Sequence, residues 1–324
     1  MPKAIRLHQT GGPEALVLED FAPGPPSAGE VTVRHTAIGL NFIDVYDRTG
    51  LYPMPLPGGL GREAAGTVAA VGRRVRGFRV GDRVAYVLGQ PGSYADLRNV
   101  AADRLVKVPR AVSDEQAAAL MLKGLTAHYL LRRTYKVRRN DWILVHAAAG
   151  GVGLLLCQWA RALGARVIGV VGNAEKAALA KRHGCRHVLL SGSGPLAPEV
   201  RRLTRGAGVA VVYDSVGKDT FMDSLDALAP LGMMVTYGNA SGPPPAISPL
   251  ELAKRGSLFL TRPTLFAYIS KPAELQSAAR ELFRMVSSGK VKLRIGQRYA
   301  LADAADAHRD LEARRTTGST VLLP

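Results

Sequence analysis

Residues 142–164 read WILVHAAAGGVGLLLCQWARALG, with no formally charged side chain from Trp142 to Ala160. A run this long and apolar suits two environments. One is a membrane, which a helix of about 20 residues spans. The other is a sheet-and-helix core. Glycine is tolerated in membrane helices, so composition alone does not decide. Context does. Gly150, Gly151 and Gly153 cluster after the strand-length run WILVH, and a second apolar run, ARVIGVV, follows at 165–171. Strand, tight turn, helix, strand is a βαβ unit, and a βαβ unit commits the chain to a parallel sheet.

The flanking pattern extends that unit. Strands are expected at 142–147, 165–171, 187–190, 209–214, 232–238 and 257–260, with helices at 151–163, 175–183 and 220–228 between them. Alternation of helices with continuously apolar strands marks a parallel sheet covered on both faces. Residues 1–123 read differently. They hold short β-like runs at 31–37, 66–75 and 79–88, and Pro/Gly-rich loops at 23–26 and 52–61. Ser113, followed by two acids, is an N-cap for a helix over 113–122. Residues 266–324 carry a helix at 273–288, a strand at 291–295, a helix at 302–314 and a strand at 320–323. That tail is too short to stand alone and is expected to return to the first domain. The fold class is α/β, with domains at 1–123 and 124–265 and the returning segment at 266–324.

The turn itself, Ala148-Ala149-Gly150-Gly151-Val152-Gly153, is the pattern G-x-G-x-x-G with alanine in the first place. Ala148 would keep the turn tight, Gly150 would let backbone approach a pyrophosphate, and Gly153 would let the helix pack close to the strands. N–H groups at the helix start then face the phosphates. A dinucleotide site is therefore expected. NAD sites place an acid at the end of the second strand. Here that strand ends in Gly172-Asn173, and the first acid, Glu175, is followed by Lys176. The pattern favours NADP(H) over NAD(H), although Lys176 alone reads equally well as a surface lysine.

Formal net charge is +17, which would attract nucleic acid, anionic lipid or a phosphorylated cofactor. The basic pairs, such as Arg73-Arg74 and Arg201-Arg202, are dispersed, as on a solvated arginine-rich surface. Cys157 and Cys185 are the only cysteines. They supply no disulfide framework and no cysteine-rich zinc site, and they point to a reducing, cytoplasmic setting. The N-terminal residues show no leader pattern, and none is expected.

Several ordered motifs complete the reading: NFIDVYDRTGLYP (41–53), GREAAGTVAAVG (61–72), GDRVAY (81–86), LKGLTAHYLL (122–131), HAAAGGVGLLLCQWARALGA (146–165), VVYDSVG (211–217), YGNASG (237–242) and TRPTL (261–265). With them, the chain resembles the zinc-free, zeta-crystallin-like quinone oxidoreductases of the medium-chain dehydrogenase/reductase superfamily over essentially its full length. The resemblance implies a GroES-like, mostly β catalytic domain and an inserted Rossmann domain with a doubly wound parallel sheet, the active cleft lying between them. It implies NADPH-dependent reduction of quinones to hydroquinones or semiquinones. It also implies a homodimer, for which 257–260 is a candidate edge. Zinc-containing relatives have a cysteine where Asn41 or its neighbours stand and a histidine where Arg62 stands. No metal is therefore expected.

By the same resemblance, Phe42, Ile43, Asp44, Val45 and Tyr46 border the nicotinamide, with Asn41 beside them. Tyr129 lies toward the adenosine. Gly150, Gly151, Val152 and Gly153 take the pyrophosphate. Gly172, Asn173, Ala174, Glu175 and Lys176 surround the 2′-phosphate, with Ser191 where relatives often have tyrosine. Val216, Tyr237, Gly238, Asn239 and Ala240, then Pro263, Thr264 and Leu265, line the nicotinamide half. Arg314 reaches the phosphates. Asn41, Asp44, Tyr46, Tyr52 and Lys123 are the candidate catalytic groups. Each also has a plain reading: Asn41 as a turn residue, the tyrosines as packing aromatics, Asp44 and Lys123 as ion-pair scaffolding, and Arg314 as a surface charge. Two other functions remain open, reduction of activated C=C bonds in alkenals or enones, and RNA binding.

Overall fold

The computed structural model describes residues 1–324. The chain forms two units. The first comprises Met1–Leu125, Ile269–Ser287 and Leu293–Pro324, and the second Thr126–Tyr268 and Ser288–Lys292.

In the second unit, the run at 142–164 resolves into the strand Trp142–Val145, a turn, and the helix Gly151–Ala162. No helix of the structure is long and apolar enough to cross a membrane. Six parallel strands form one sheet: Trp142–Val145, Arg166–Val171, Cys185–Leu190, Val209–Asp214, Leu228–Thr236 and Phe259–Thr261. Numbered in chain order, they lie 3-2-1-4-5-6 across the sheet. The order reverses between the Trp142 and Val209 strands, which pair directly through Val211–Ile143 and Val212–Leu144. Buried Leu144, Ile168, Val212 and Met234 from four of these strands meet Val200, Phe221 and Leu225 from the helices in one core. That burial explains why the strands read as unbroken apolar runs.

The first unit is built on one long strand, Glu30–Leu40. The strand Glu63–Val71 pairs along one side of it. On its other side, residues 30–34 pair with Leu97–Ala101 and residues 38–40 with Ser319–Leu323. Arg83–Val87, Val106–Lys107 and Ile295–Ala300 complete a seven-stranded sheet. A three-stranded sheet of Leu16–Asp20, Lys3–Leu7 and Gly58–Gly59 shares its core, where Ile5 and Leu7 meet Val31, Ile38, Leu60 and Leu322. The helix Asp114–Tyr129 starts at Ser113, whose Oγ accepts from Gln116 N–H, while Gln116 Oε1 accepts from Ser113 N–H. This is a reciprocal cap.

Several expected elements move. The strand expected at 291–295 is instead Ile295–Ala300, paired in parallel with Ser319–Leu323. Its polar Gln297 and Arg298 hid it, because only alternate residues are half-buried. Residues 66–75 and 79–88 shorten to Glu63–Val71 and Arg83–Val87, since Gly72 N–H turns to Glu30 O and residues 79–82 close a turn. The helix expected at 220–228 ends at Asp226, and Leu228 opens a strand. The edge strand starts at Phe259, because Ser257 has φ of 59°. Four helices were not expected, Phe42–Thr49, Leu196–Leu203 and the short Leu250–Lys254 and Leu265–Tyr268.

Candidate active site

In a parallel sheet, all strands end at the same edge, and a crevice opens there where the strand order reverses. The sequence-predicted residues of the second unit, Tyr129 excepted, follow strand ends. Gly150–Gly153 follow the Trp142 strand, Gly172–Lys176 the Arg166 strand, and Ser191 the Cys185 strand. Val216, Tyr237–Ala240 and Pro263–Leu265 follow the other three. The two loops nearest the reversal on one side are laced together. Ala240 N–H donates to Ser215 O, and Ser241 N–H to Val216 O. Asp214, fully buried, accepts from the N–H groups of Val216 (2.7 Å) and Gly217 (3.2 Å) and from Thr220 Oγ1 (2.7 Å). His146, at the end of the Trp142 strand, lies 2.8 Å from Ser224 Oγ through Nε2, and burial pushes its pKa down.

The turn before the helix is tight for a reason the motif does not give. Ala147, rather than Ala148, takes the left-handed conformation, with φ of 49°. Such a conformation is uncommon for a residue with a side chain. Ala148 is buried opposite Gly169, where an added Cβ would stand 2.9 Å from the Ala148 methyl, so alanine fits in the first place of the motif. Gly153 is required by contact: a Cβ there would lie 2.3 Å from Ala147 O and 2.8 Å from Ala148 Cα. Gly150 caps the helix with backbone alone, since no side chain bonds the first turn. Helix starts of this kind leave N–H groups directed at an anion. The second helix start is built otherwise: Asn173 Oδ1 accepts from Lys176 N–H at 2.9 Å. Gly172 faces open space, and Glu175 is exposed while Lys176 is half-buried. No carboxylate ends the Arg166 strand, so a 2′-phosphate meets no opposing charge there.

Three predicted residues of this unit have other surroundings. Tyr129 is buried and stacks on Tyr268, with ring centroids 4.5 Å apart, and burial pushes its phenol pKa up. The phenol also feels Tyr237, which follows the end of the Leu228 strand. Leu265 is buried at the start of the helix Leu265–Tyr268. Ser191 is exposed and donates its N–H to Val171 O.

In the first unit, Asn41 opens the helix Phe42–Thr49 and sits at the centre of a buried polar knot. Asn41 Nδ2 donates to Glu63 Oε1 (2.8 Å). Lys123 Nζ donates to the same oxygen (3.2 Å) and to Leu40 O (2.9 Å). Leu122 N–H donates to Glu63 Oε2 at 2.5 Å. Glu63 is wholly buried, and Gly39 makes room for it: a Cβ there would lie 2.2 Å from Glu63 Oε1. A buried ion pair holds only when its remaining lone pairs and protons find partners, and these do. Glu63 was not among the predicted site residues. Its signal was a lone acid opening an apolar strand, as Asp214 is a lone acid closing one.

Asp44 is also wholly buried. Its Oδ2 accepts from Asn41 N–H (2.8 Å) and Tyr94 OH (2.9 Å), and Tyr94 OH lies 3.1 Å from His308 Nε2. Burial, reinforced by nearby Asp47, raises its pKa to about 7. Asp44 and Lys123 thus both help to fix the start of the helix. Phe42, Tyr46 and Tyr52 form an aromatic ladder, with centroid spacings of 5.5 and 5.3 Å, in which Phe42 and Tyr52 keep partial exposure. Ile43 is half-exposed and Val45 buried. Arg62 is clamped to Asp47 through Nε (2.9 Å) and Nη2 (2.7 Å). Arg314 is exposed in this unit, just past the helix Ala304–Glu312. No group of three or more His, Cys, Asp or Glu side chains is arranged to hold a metal ion.

Two family descriptions match the chain: "Alcohol dehydrogenase GroES-like domain" over residues 27–110 and "Zinc-binding dehydrogenase" over residues 151–284. The chain is 54% identical to a quinone oxidoreductase of Pseudomonas aeruginosa over 325 aligned residues, covering 100% of both proteins. It is similar to the crystal structure of Escherichia coli quinone oxidoreductase complexed with NADPH, with a TM-score of 0.97 and 47% identity, over 99% of this chain and 100% of that one. A 2-haloacrylate reductase of a Burkholderia species is 45% identical, over 100% of this chain and 99% of that protein.

Proposed function

Since this chain belongs to the quinone oxidoreductase family of the medium-chain dehydrogenase/reductase superfamily, we propose that it is an NADPH-dependent enzyme that reduces quinones. The observation that carries this reading is the strand-end edge of the parallel sheet. There a glycine-built helix start without a side-chain cap stands beside a second strand end without a carboxylate.

Bound NADPH supplies the hydride. The N–H groups after Gly150 take the pyrophosphate, aided by the positive end of the helix. Gly153 fixes their distance from the strand. Residues 172–176 hold the 2′-phosphate, where the helix start at Asn173 and the Lys176 ammonium supply positive potential. Val216 and Tyr237–Ala240, laced together behind Asp214, together with Pro263 and Thr264, form the wall for the nicotinamide half.

The aromatic face of Phe42, Tyr46 and Tyr52 receives a planar quinone. Asn41, its amide fixed by Glu63, offers polar orientation, and the product oxygen takes its proton from water or the Tyr52 phenol. Arg62 occupies the place where zinc relatives have a histidine. Its guanidinium, tied to Asp47, cannot serve as a ligand, so we read the reaction as zinc-independent. The protein's work is then orientation and control of water.

The strand Phe259–Thr261 ends the sheet with Phe259 57% exposed, and Leu231 on the neighbouring strand is 68% exposed. This apolar edge supports a homodimer, and Phe259→Asp should sediment as a monomer where the parent sediments as a dimer. The buried free thiols Cys157 and Cys185 support a cytoplasmic location. Many arginines are already paired to surface acids, as Arg202 to Glu199 and Arg315 to Asp310, and no polyanion partner is assigned.

The test is NADPH oxidation over a panel including 1,2-naphthoquinone and a 2-alkenal, with NADH as control. A higher kcat/KM for the quinone with NADPH is expected. A higher value for the alkenal would favour activated C=C reduction instead, which the likeness to the haloacrylate reductase makes the second reading.

A further inference from the structure

The helix Pro272–Ser287 turns Gln276, Arg280, Phe283 and Arg284 to one side, at spacings of four, three and one. They line a cavity of about 670 Å³ with Leu105, Lys107 and Phe78. None of these residues belongs to the site described above. The floor is apolar: Leu105 is wholly buried and Phe283 nearly so. Gln276 Nε2 donates to Leu105 O at 2.8 Å, which fixes the helix against the chain opposite.

The rim is cationic. Lys107 Nζ stands 5.4 Å over the Phe78 ring and 3.3 Å from Asp82. Arg280 and Arg284 are both exposed, and no acid stands among the residues that line the cavity. Two like charges at i and i+4 destabilise a helix slightly. Two arginines one helical turn apart at the mouth of a partly apolar cavity suit the planar head of a carboxylate, which arginine binds through paired N–H groups. The volume falls in the range of small-molecule sites.

From this we propose that the first unit binds an amphiphilic organic anion, its apolar body on Leu105 and Phe283 and its carboxylate between Arg280 and Arg284. A medium-chain alkyl carboxylate is the simplest member of the class.

The test is calorimetric titration of the full chain with decanoate, with 1-decanol as the uncharged counterpart, in the presence and absence of NADPH. Decanoate should bind more tightly than decanol, and saturating NADPH should not displace it. The double variant Arg280→Gln/Arg284→Gln should weaken decanoate at least tenfold and leave decanol and NADPH affinities unchanged. Ser287→Trp, an exposed position that fills one end of the cavity, should weaken both probes. Decanoate affinity unchanged in the double variant, no binding in the parent chain, or displacement of decanoate by NADPH would each overturn the proposal.

Discussion

Around Asn41, one carboxylate gathers a side-chain amide, an ammonium and a backbone N–H inside the protein. Around Gly150, the corresponding work falls to backbone: a helix start with no side-chain cap, and a glycine whose missing Cβ sets the spacing. The first arrangement is held by partners and fails when a partner is lost. The second is held by shape and fails when an atom is added. In the proposed function both prepare a binding surface, but substitution probes them in opposite ways.

The largest expected effect is removal of the gathering group. Glu63→Ala leaves Lys123 buried without its carboxylate, a change that costs about 3–5 kcal/mol in comparable buried pairs. Urea unfolding should read it directly, and Lys123→Met in the same background should restore part of the loss. If Glu63→Ala unfolds at the parent's urea midpoint, the first arrangement is not held by partners.

Next comes addition at the other region. Gly153→Val places atoms where Ala147 O and Ala148 Cα already stand, and overpacking of this kind costs about 1–3 kcal/mol. Displacement of the helix start should abolish detectable NADPH binding by calorimetry even in the fraction that remains folded. Retained NADPH affinity would show that the close approach is not needed there.

A third effect, read across pH rather than at one pH, concerns Asp44. An ordinary aspartate titrates near 3.9 when unfolded. In the folded protein its pKa is raised to about 7, so between those values the folded state holds the extra proton. Stability therefore falls as pH rises from about 4 through 7. Asp47 shifts in the same direction through burial, partly offset by Arg62. Asp44→Asn should remove its share, flattening the fall of Tm by about 2–4 °C for each kcal/mol recovered. Parallel Tm-against-pH curves for parent and variant would remove Asp44 from the account.

The same contrast explains what could be read from the sequence. The second unit was legible because its strands are buried on both faces and therefore continuously apolar, and because Gly150, Gly151 and Gly153 mark a turn that only small residues allow. The helix starting at Phe42 was not, since its cap is closed by Asp44, a bond that two polar letters three apart do not declare. Ala147 left no trace at all, because nothing about an alanine announces a left-handed backbone. Glu63 and Asp214 were visible as lone acids at strand ends, yet their partners, Lys123 and Thr220 among them, come together only through the fold. The strand Ile295–Ala300 escaped for a simpler reason: its outward residues are polar, and its pairing depends on Ser319–Leu323.

That last strand sets an order on the birth of the protein. Thr320 pairs with Leu40, so a contact between the two ends of the chain closes the sheet of the first unit. All six strands of the second unit lie between those positions and leave the ribosome before the closure can form. The inserted unit can thus mature on the nascent chain while its host still exposes the 38–40 end of its longest strand, a period when a chaperone has most to protect.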